Sequence, residues 1–511
     1  MMRSFIHDTT SGLSLGLFRI AFGSVLTAEI LHLWYFQELI FRPLGSDSSA
    51  QFHPSFILMF WIVAAVCLTI GLFTKYAAVV NYVCCVSVLS NFTIFEYHID
   101  YIYITAAIYM VFAPIGLRLS VDSCLAARSG SSAPREPIQV PYAWNLTLVF
   151  LAIGLVYFDS AIFKWRSDMW LAGLGMWQPA SHPAATFVDL TPILNREWLV
   201  KLLSYTVLIF ESLFLLIMWF RPIQPALMLL GIAFHLGILL AFPIPFFALA
   251  VVSCYLVLLP ESWIKRVLFW IPTLSDAAAQ EVPRTAADEA AESKLPSSLG
   301  IHQRRTVWGL ACVMMVAFVM QLLCRTNPQA LQKPLGLDAG SLSQLQDRLD
   351  GFRYYARAFT GITLHPVFMD RHFSEYNHVV RVVFVDDSSG NVMPVPIQRD
   401  SGQVSWYSSG RMWVYDCFRC VGPTIVPDQL QANLERVCFF WASKNDVDLA
   451  SGHFEVFAKH VDTANGWEKD FLRKQLAKPW QPVGQFRWNG DSFEGRIEDV
   501  ERLVTEDPPS Q

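Results

Sequence analysis

The stretch VYFDSAIFKWRSDMW, residues 156–170, closes an apolar run that begins near Trp144. A run of that length can cross a bilayer, whose hydrocarbon requires about 20 apolar residues. Lys164 then falls where the helix leaves the hydrocarbon, shortly after Asp159. Two readings are open. A lysine at that depth can be an interfacial anchor, with its stem among the lipid chains and its ammonium among the headgroups. It can also be a base inside a membrane enzyme, because desolvation disfavours the ammonium form.

The rest of the chain fits a membrane setting. Of its 511 residues, 53% are hydrophobic and only 16% charged, against roughly 25% charged in soluble domains. The formal net charge is −5 and no basic block occurs, which argues against a nucleic-acid partner. Gly12–Phe36 is too long for a signal-peptide core and lacks a small-residue cleavage site, so it reads as a retained first span. Further apolar runs lie at 55–73, 76–95, 99–117, 144–164, 203–220, 223–241, 244–260 and 305–324, giving nine expected spans. The two prolines of AFPIPFF (241–247) split what would otherwise be one long helix. Lys75, Arg118, Arg221, Lys265 and their neighbours gather in alternate loops, leaving only Arg42, Arg166, Arg196 and Lys201 in the others. By the positive-inside rule the N-terminus is cytoplasmic and everything after Cys324 is extracytoplasmic.

The predicted architecture is a polytopic α-helical membrane bundle followed by a strand-rich extracytoplasmic α+β domain. Residues 1–272 form the multi-span core. The Ala-, Glu- and Ser-rich segment 273–304 reads as a flexible cytoplasmic linker, 305–324 as the ninth helix and 325–511 as the outer domain. Within that domain 341–359 and 428–443 read as helices, and 378–387 with 392–398 as a hairpin. QVSWYSS, MWVYDCF and HFEVFAKHV read as further strands. The long loop 165–200 is expected to be partly re-entrant, capping a cavity. The cysteines are scattered, and no zinc-ligand set is visible. Cys417 and Cys420 have the spacing of a disulfide or redox pair, but isolated pairs of this kind are also found as simple packing.

Ionisable residues at membrane depth cost a few kcal/mol each, so each requires a reason. Arg19 and Glu29 in the first span are most simply each other's partners, and Glu29 shares a helix face with His32. FEYHIDYIY (95–103) contributes Glu96, His98 and Asp100, the fifth span Asp159 and Lys164, the sixth Glu211 and the seventh His235. Taken singly, His98 can be a hydrated interfacial residue and His235 an interhelical hydrogen-bonding group. Together, His98, Lys164 and His235 fall in the outer halves of their spans, which points to one shared cavity.

LGLFRIAFG (15–23), GLFTK (71–75), FEYHIDYIY, LRLSVD (117–122), VYFDSAIFKWRSDMWLAG (156–173) and FHLGILLAF (234–242) occur in order. Together they resemble the horizontally transferred transmembrane (HTTM) domain, the membrane core of vitamin K-dependent gamma-carboxylase and its bacterial relatives. The resemblance implies a quinol-dependent lyase that carboxylates a glutamyl or other acceptor. Lys164 matches the family's base, and His98 and His235 its functional histidines, while Tyr101, Tyr157 and Asp159 become candidate quinone-binding residues. It further implies a reduced vitamin K-type quinone (menaquinol or phylloquinol), with oxygen and carbon dioxide as co-substrates, no metal, and a protein or peptide substrate on the outer side. Phe163 replaces one lysine of the family's tandem pair, and Asp159 and Ser160 replace small or apolar residues. A transporter, or a lipid- or partner-binding membrane protein with a polar intramembrane cavity, is the alternative.

Overall fold

The computed structural model describes residues 3–41, 54–89, 95–128, 139–268, 300–370, 378–420, 427–498 and 500. Most of the expected linker lies outside them. Apolar helices stand at the expected places: α1 (Leu13–Tyr35), α2 (Pro54–Ile70), α3 (Thr74–Leu89), α4 (Ile99–Phe112), α5 (Ala143–Lys164), α6 (Glu197–Ile217), α7 (Gln224–Ala241), α8 (Pro245–Tyr255) and α9 (Ile301–Arg325). The expectation of nine spans is nevertheless not supported. Among the described residues only α1, α5, α6, α7 and α9 are long and apolar enough to cross a membrane. The other four run to 17, 16, 14 and 11 residues. At 1.5 Å per residue even the longest of these covers about 26 Å, short of a hydrocarbon core of about 30 Å. Hydropathy marks apolar character, whereas glycine turns and prolines decide where a helix stops: Gly71, with φ +73°, ends the α2 side of the α2–α3 turn, and Pro243 separates α7 from α8.

At one end of the bundle three of the sequence motifs meet. Arg19 is fully buried, and its guanidinium donates to the carbonyls of Leu68 (2.7 Å), Thr69 (2.7 Å), Ile115 (3.1 Å) and Leu119. Asp122 accepts from the backbone N–H groups of Phe73 and Thr74 at 2.8 Å each. These contacts satisfy orphan groups at the ends of α2, α3 and α4. Arg19 is therefore not the partner of Glu29. It caps helix carbonyls ten residues back along α1, about 15 Å from Glu29.

In α5, Phe150–Gly154 form a π-helical turn. Such a turn inserts one residue and rotates everything beyond it. Downstream, Tyr157 and Lys164 are seven residues apart and share a face, whereas Asp159 points to the opposite side.

The C-terminal region opens with a short helix (Pro328–Leu335) and then α10 (Ala339–Thr360), which packs against α9, α3 and α4. Beyond it an antiparallel sheet is ordered β2-β1-β3-β4-β5, from β1 (His378–Asp386), β2 (Val392–Val395), β3 (Gly452–His460), β4 (Gln481–Trp488) and β5 (Phe493–Ile497). The hairpin, the HFEVFAKHV strand and helix α12 (Pro427–Lys444) agree with the sequence reading. MWVYDCF does not. It lies in α11 (Arg411–Arg419), where Met412, Val414, Tyr415 and Cys417 are all buried and Tyr415 stacks on Phe95. QVSWYSS forms no named strand, only an isolated bridge of Val404 to Gln398 and a 3-10 turn. Cys417 and Cys420 are both buried free thiols. The 165–200 loop folds into short helices, with Trp170 and Trp177 buried.

Candidate active site

Lys164 Nζ lies 2.5 Å from Glu211 Oε1 on α6, and both side chains are only 4% exposed. The ammonium also stands 4.4 Å from the centre of the Trp170 ring, whose indole N–H donates to Phe368 O at 2.9 Å. An anchor must keep its head in water. Lys164 does not. Taking both ions out of water costs several kcal/mol each, and a compact pair offsets this only when its geometry is good. Glu211 Oε2 is buried without a hydrogen-bond partner, so the pair retains one unused acceptor.

On the same face of α5, Tyr157 packs among Phe210, Phe214 and His235, with ring centres 5.7, 5.0 and 6.2 Å away. The Tyr255 hydroxyl donates to the Tyr157 oxygen at 3.0 Å. His235 Nδ1 is 2.9 Å from Gly231 O, one turn back. A carbonyl only accepts, so Nδ1 carries the proton, and in the neutral ring Nε2 is left as an acceptor. Gly231 permits this arrangement because a Cβ there would come within 2.2 Å of the Tyr255 ring.

The opposite face of α5 holds a second group. Asp159 pairs with Arg325 at the end of α9 and accepts from the His365 backbone N–H at 2.5 Å. The sequence neighbour Lys164 is not its partner. The His365 ring packs 5.6 Å from His98 and 5.8 Å from Tyr101. The His365 side chain is itself buried. Tyr101 donates to Glu96 at 2.6 Å, and Glu96 in turn pairs with Arg357 at 3.2 Å. The structure thus brings Lys164 and His235 to one side of α5 and sets His98 on the other, instead of gathering all three around one face.

A third group seals the mouth of the bundle. Arg411, the first residue of α11, is fully buried. Its guanidinium donates to Glu29 Oε1 (2.9 Å), Asp100 Oδ2 (2.9 Å) and Phe95 O (3.1 Å), with a further bond to Asp100 Oδ1. Gly410 N–H donates to Pro243 O at 2.7 Å. Glu29, expected to pair within its own helix, is therefore held from the C-terminal region.

Sequence reasoning missed Glu211 as the lysine's partner, although a lone acid in an apolar span was a signal. Arg325 offered a similar one as the last residue of its helix. Nothing in the local sequence marked His365 or Arg411, because their meaning lies in contacts with residues hundreds of positions away.

The HTTM domain profile matches residues 7–263, half of the 511-residue chain. No curated protein and no solved structure matches the chain.

Proposed function

Because the chain belongs to the HTTM domain family, we propose that this integral membrane protein is a quinol-dependent enzyme of the gamma-carboxylase type, with Lys164 as its base. One observation carries the reading: a lysine shut away from water, paired with a glutamate and faced by aromatic rings on its own side of α5. That surrounding suits a quinol. Tyr157, Phe210, His235 and Tyr255 offer flat apolar surfaces, while Glu211 Oε2 and His235 Nε2 are acceptors for hydroxyl protons.

A bound reduced quinone would supply, with oxygen, the strong base that removing a carbon-bound proton from a glutamyl side chain requires. The chain's own residues prepare for this. Lys164 accepts a proton at Nζ when the proton shared by the pair rests on Glu211, and Glu211 then faces the new ammonium. His235, held in one tautomer by Gly231 O, orients a hydroxyl group. Trp170 and the 165–200 loop exclude water, which would quench a strong base. His98 and Tyr101, beside His365, lie across α5 from Lys164 and are given no part in this step. We place the N-terminus in the cytoplasm and the C-terminal domain outside: an odd number of long apolar helices puts the two on opposite sides, and Lys265 and Arg266, between α7 and α9, then fall inside. An acceptor peptide then approaches from the outer side.

Mass spectrometry of small molecules co-purified with the full chain tests the reading. A menaquinone-type compound retained by the parent and lost in Lys164→Ala supports it; only bulk phospholipid in both would remove it.

A further inference from the structure

Helix α10 and the strap after it occupy an unexpected place. The sequence assigns 341–359 to the aqueous domain, yet the C-terminal end of α10 is bonded deep into the bundle. The Tyr82 hydroxyl donates to Phe359 O at 2.8 Å, and Thr105 Oγ1 donates to Thr360 O at 2.8 Å. Tyr82 is seven residues from the end of α3 at Leu89, and Thr105 six residues from the start of α4 at Ile99. At 1.5 Å per residue both gauges place 359–360 about 9–11 Å inside the described helix ends. Gly361 makes the entry possible. Its φ is +72°, and a Cβ there would meet Tyr101 O at 2.1 Å. The strap then runs on through Thr363, whose carbonyl accepts from Gln321 at 2.8 Å, to His365.

At this depth α10 turns large apolar side chains outward. Tyr354, Tyr355 and Phe359 are 50%, 62% and 48% exposed, and Tyr355 stacks on Phe359. The neighbouring surface continues in kind, with Val79, Val80 and Val83 of α3 and Val319 and Leu322 of α9 exposed. Arg353, beside Tyr354, donates to Cys324 O at 3.1 Å and to Thr326 O, and so ties α10 to the C-terminal end of α9.

We propose that α10 is a re-entrant amphipathic helix whose Tyr354, Tyr355 and Phe359 contact phospholipid acyl chains of the leaflet on the C-terminal-domain side. An aqueous domain helix has no reason to extend the apolar belt of the spans, and an aromatic cluster just below the headgroups is the pattern of an interfacial anchor. The occupant is lipid because the patch is continuous with surfaces that lipid must already cover. This inference requires only that the chain sits in a membrane, and holds whether or not the protein is an enzyme.

The test places the photoreactive analogue p-benzoyl-phenylalanine at Phe359, at Tyr355 and, as a control, at Val392, an exposed residue of β2. The full chain is irradiated in phospholipid nanodiscs and its intact mass measured. The expected result is a gain of one phospholipid mass at 359 and 355 and none at 392. Should the 359 variant fail to fold, Tyr355, the most exposed of the three, decides. Absence of lipid adducts at the α10 positions, or adducts to a second polypeptide in native membranes, would overturn the proposal.

Discussion

Replacing Arg411 by leucine removes the one cation between two buried carboxylates. Glu29 and Arg411 are 0% exposed and Asp100 only 1%. The guanidinium makes four hydrogen bonds to Glu29, Asp100 and Phe95. Breaking a buried ion pair from one side costs about 3–5 kcal/mol, chiefly because the partner charges stay buried and unpaired. At roughly 2–4 °C per kcal/mol for a large domain, the melting temperature should fall by about 6–20 °C. The loss is one of docking, since Arg411 belongs to the C-terminal region and its carboxylate partners to α1 and α4. Limited proteolysis should then cut between 360 and 411 in the variant under conditions that spare the parent. Adding Asp100→Asn and Glu29→Gln to Arg411→Leu should recover more than half of the lost melting temperature, because no orphaned charge remains. The reasoning is refuted if Arg411→Leu melts with the parent, or if the triple variant melts below the single one.

Other consequences follow the same lines. Burial, opposed by the Gln398 amide, raises the Asp416 carboxyl to about 7, above an unfolded value of about 3.9. Between these values the folded state holds a proton the unfolded state lacks, so stability falls as pH rises and stays reduced above the folded value. Asp416→Asn should therefore flatten melting temperature against pH and melt above the parent at alkaline pH. Glu211→Gln should destabilise by about 3–5 kcal/mol by stranding Lys164, while Lys164→Met with Glu211→Leu should restore much of the loss in thermal melts. Gly361→Ala should cost about 1–3 kcal/mol from backbone strain alone, and hydrogen exchange should report it as weaker protection at 355–368.

The places where sequence and structure part company share a physical cause. Apolar runs located the helices, because burial and lipid both select apolar residues. They could not tell a span from a shorter helix wedged among spans, since α8 is as apolar as α7 yet stops after 11 residues. Lys164 and His235 stood out in the sequence, together with His98, because a charged or titratable residue in an apolar span is rare. Lys164's partner was not legible, as Asp159 was nearer in sequence and the π turn in α5 could not be foreseen. Helix periodicity placed α10 correctly but gave no depth. That depth comes from a tyrosine and a threonine on other helices. Arg411 lay in a segment whose alternation resembled a strand, and its role rests wholly on Glu29 and Asp100.

The central claim is that Lys164 accepts a proton from a quinol, and the most direct measurement is menaquinol consumption under oxygen by the purified parent, Lys164→Ala and Lys164→Arg, with folding checked by thermal melting. Guanidinium can hold Glu211 but stays protonated. The account predicts that Lys164→Arg stays folded yet loses turnover with Lys164→Ala, and that a small primary amine partly restores the alanine variant. Full turnover by the arginine variant would contradict it, leaving Lys164 as half of a structural ion pair.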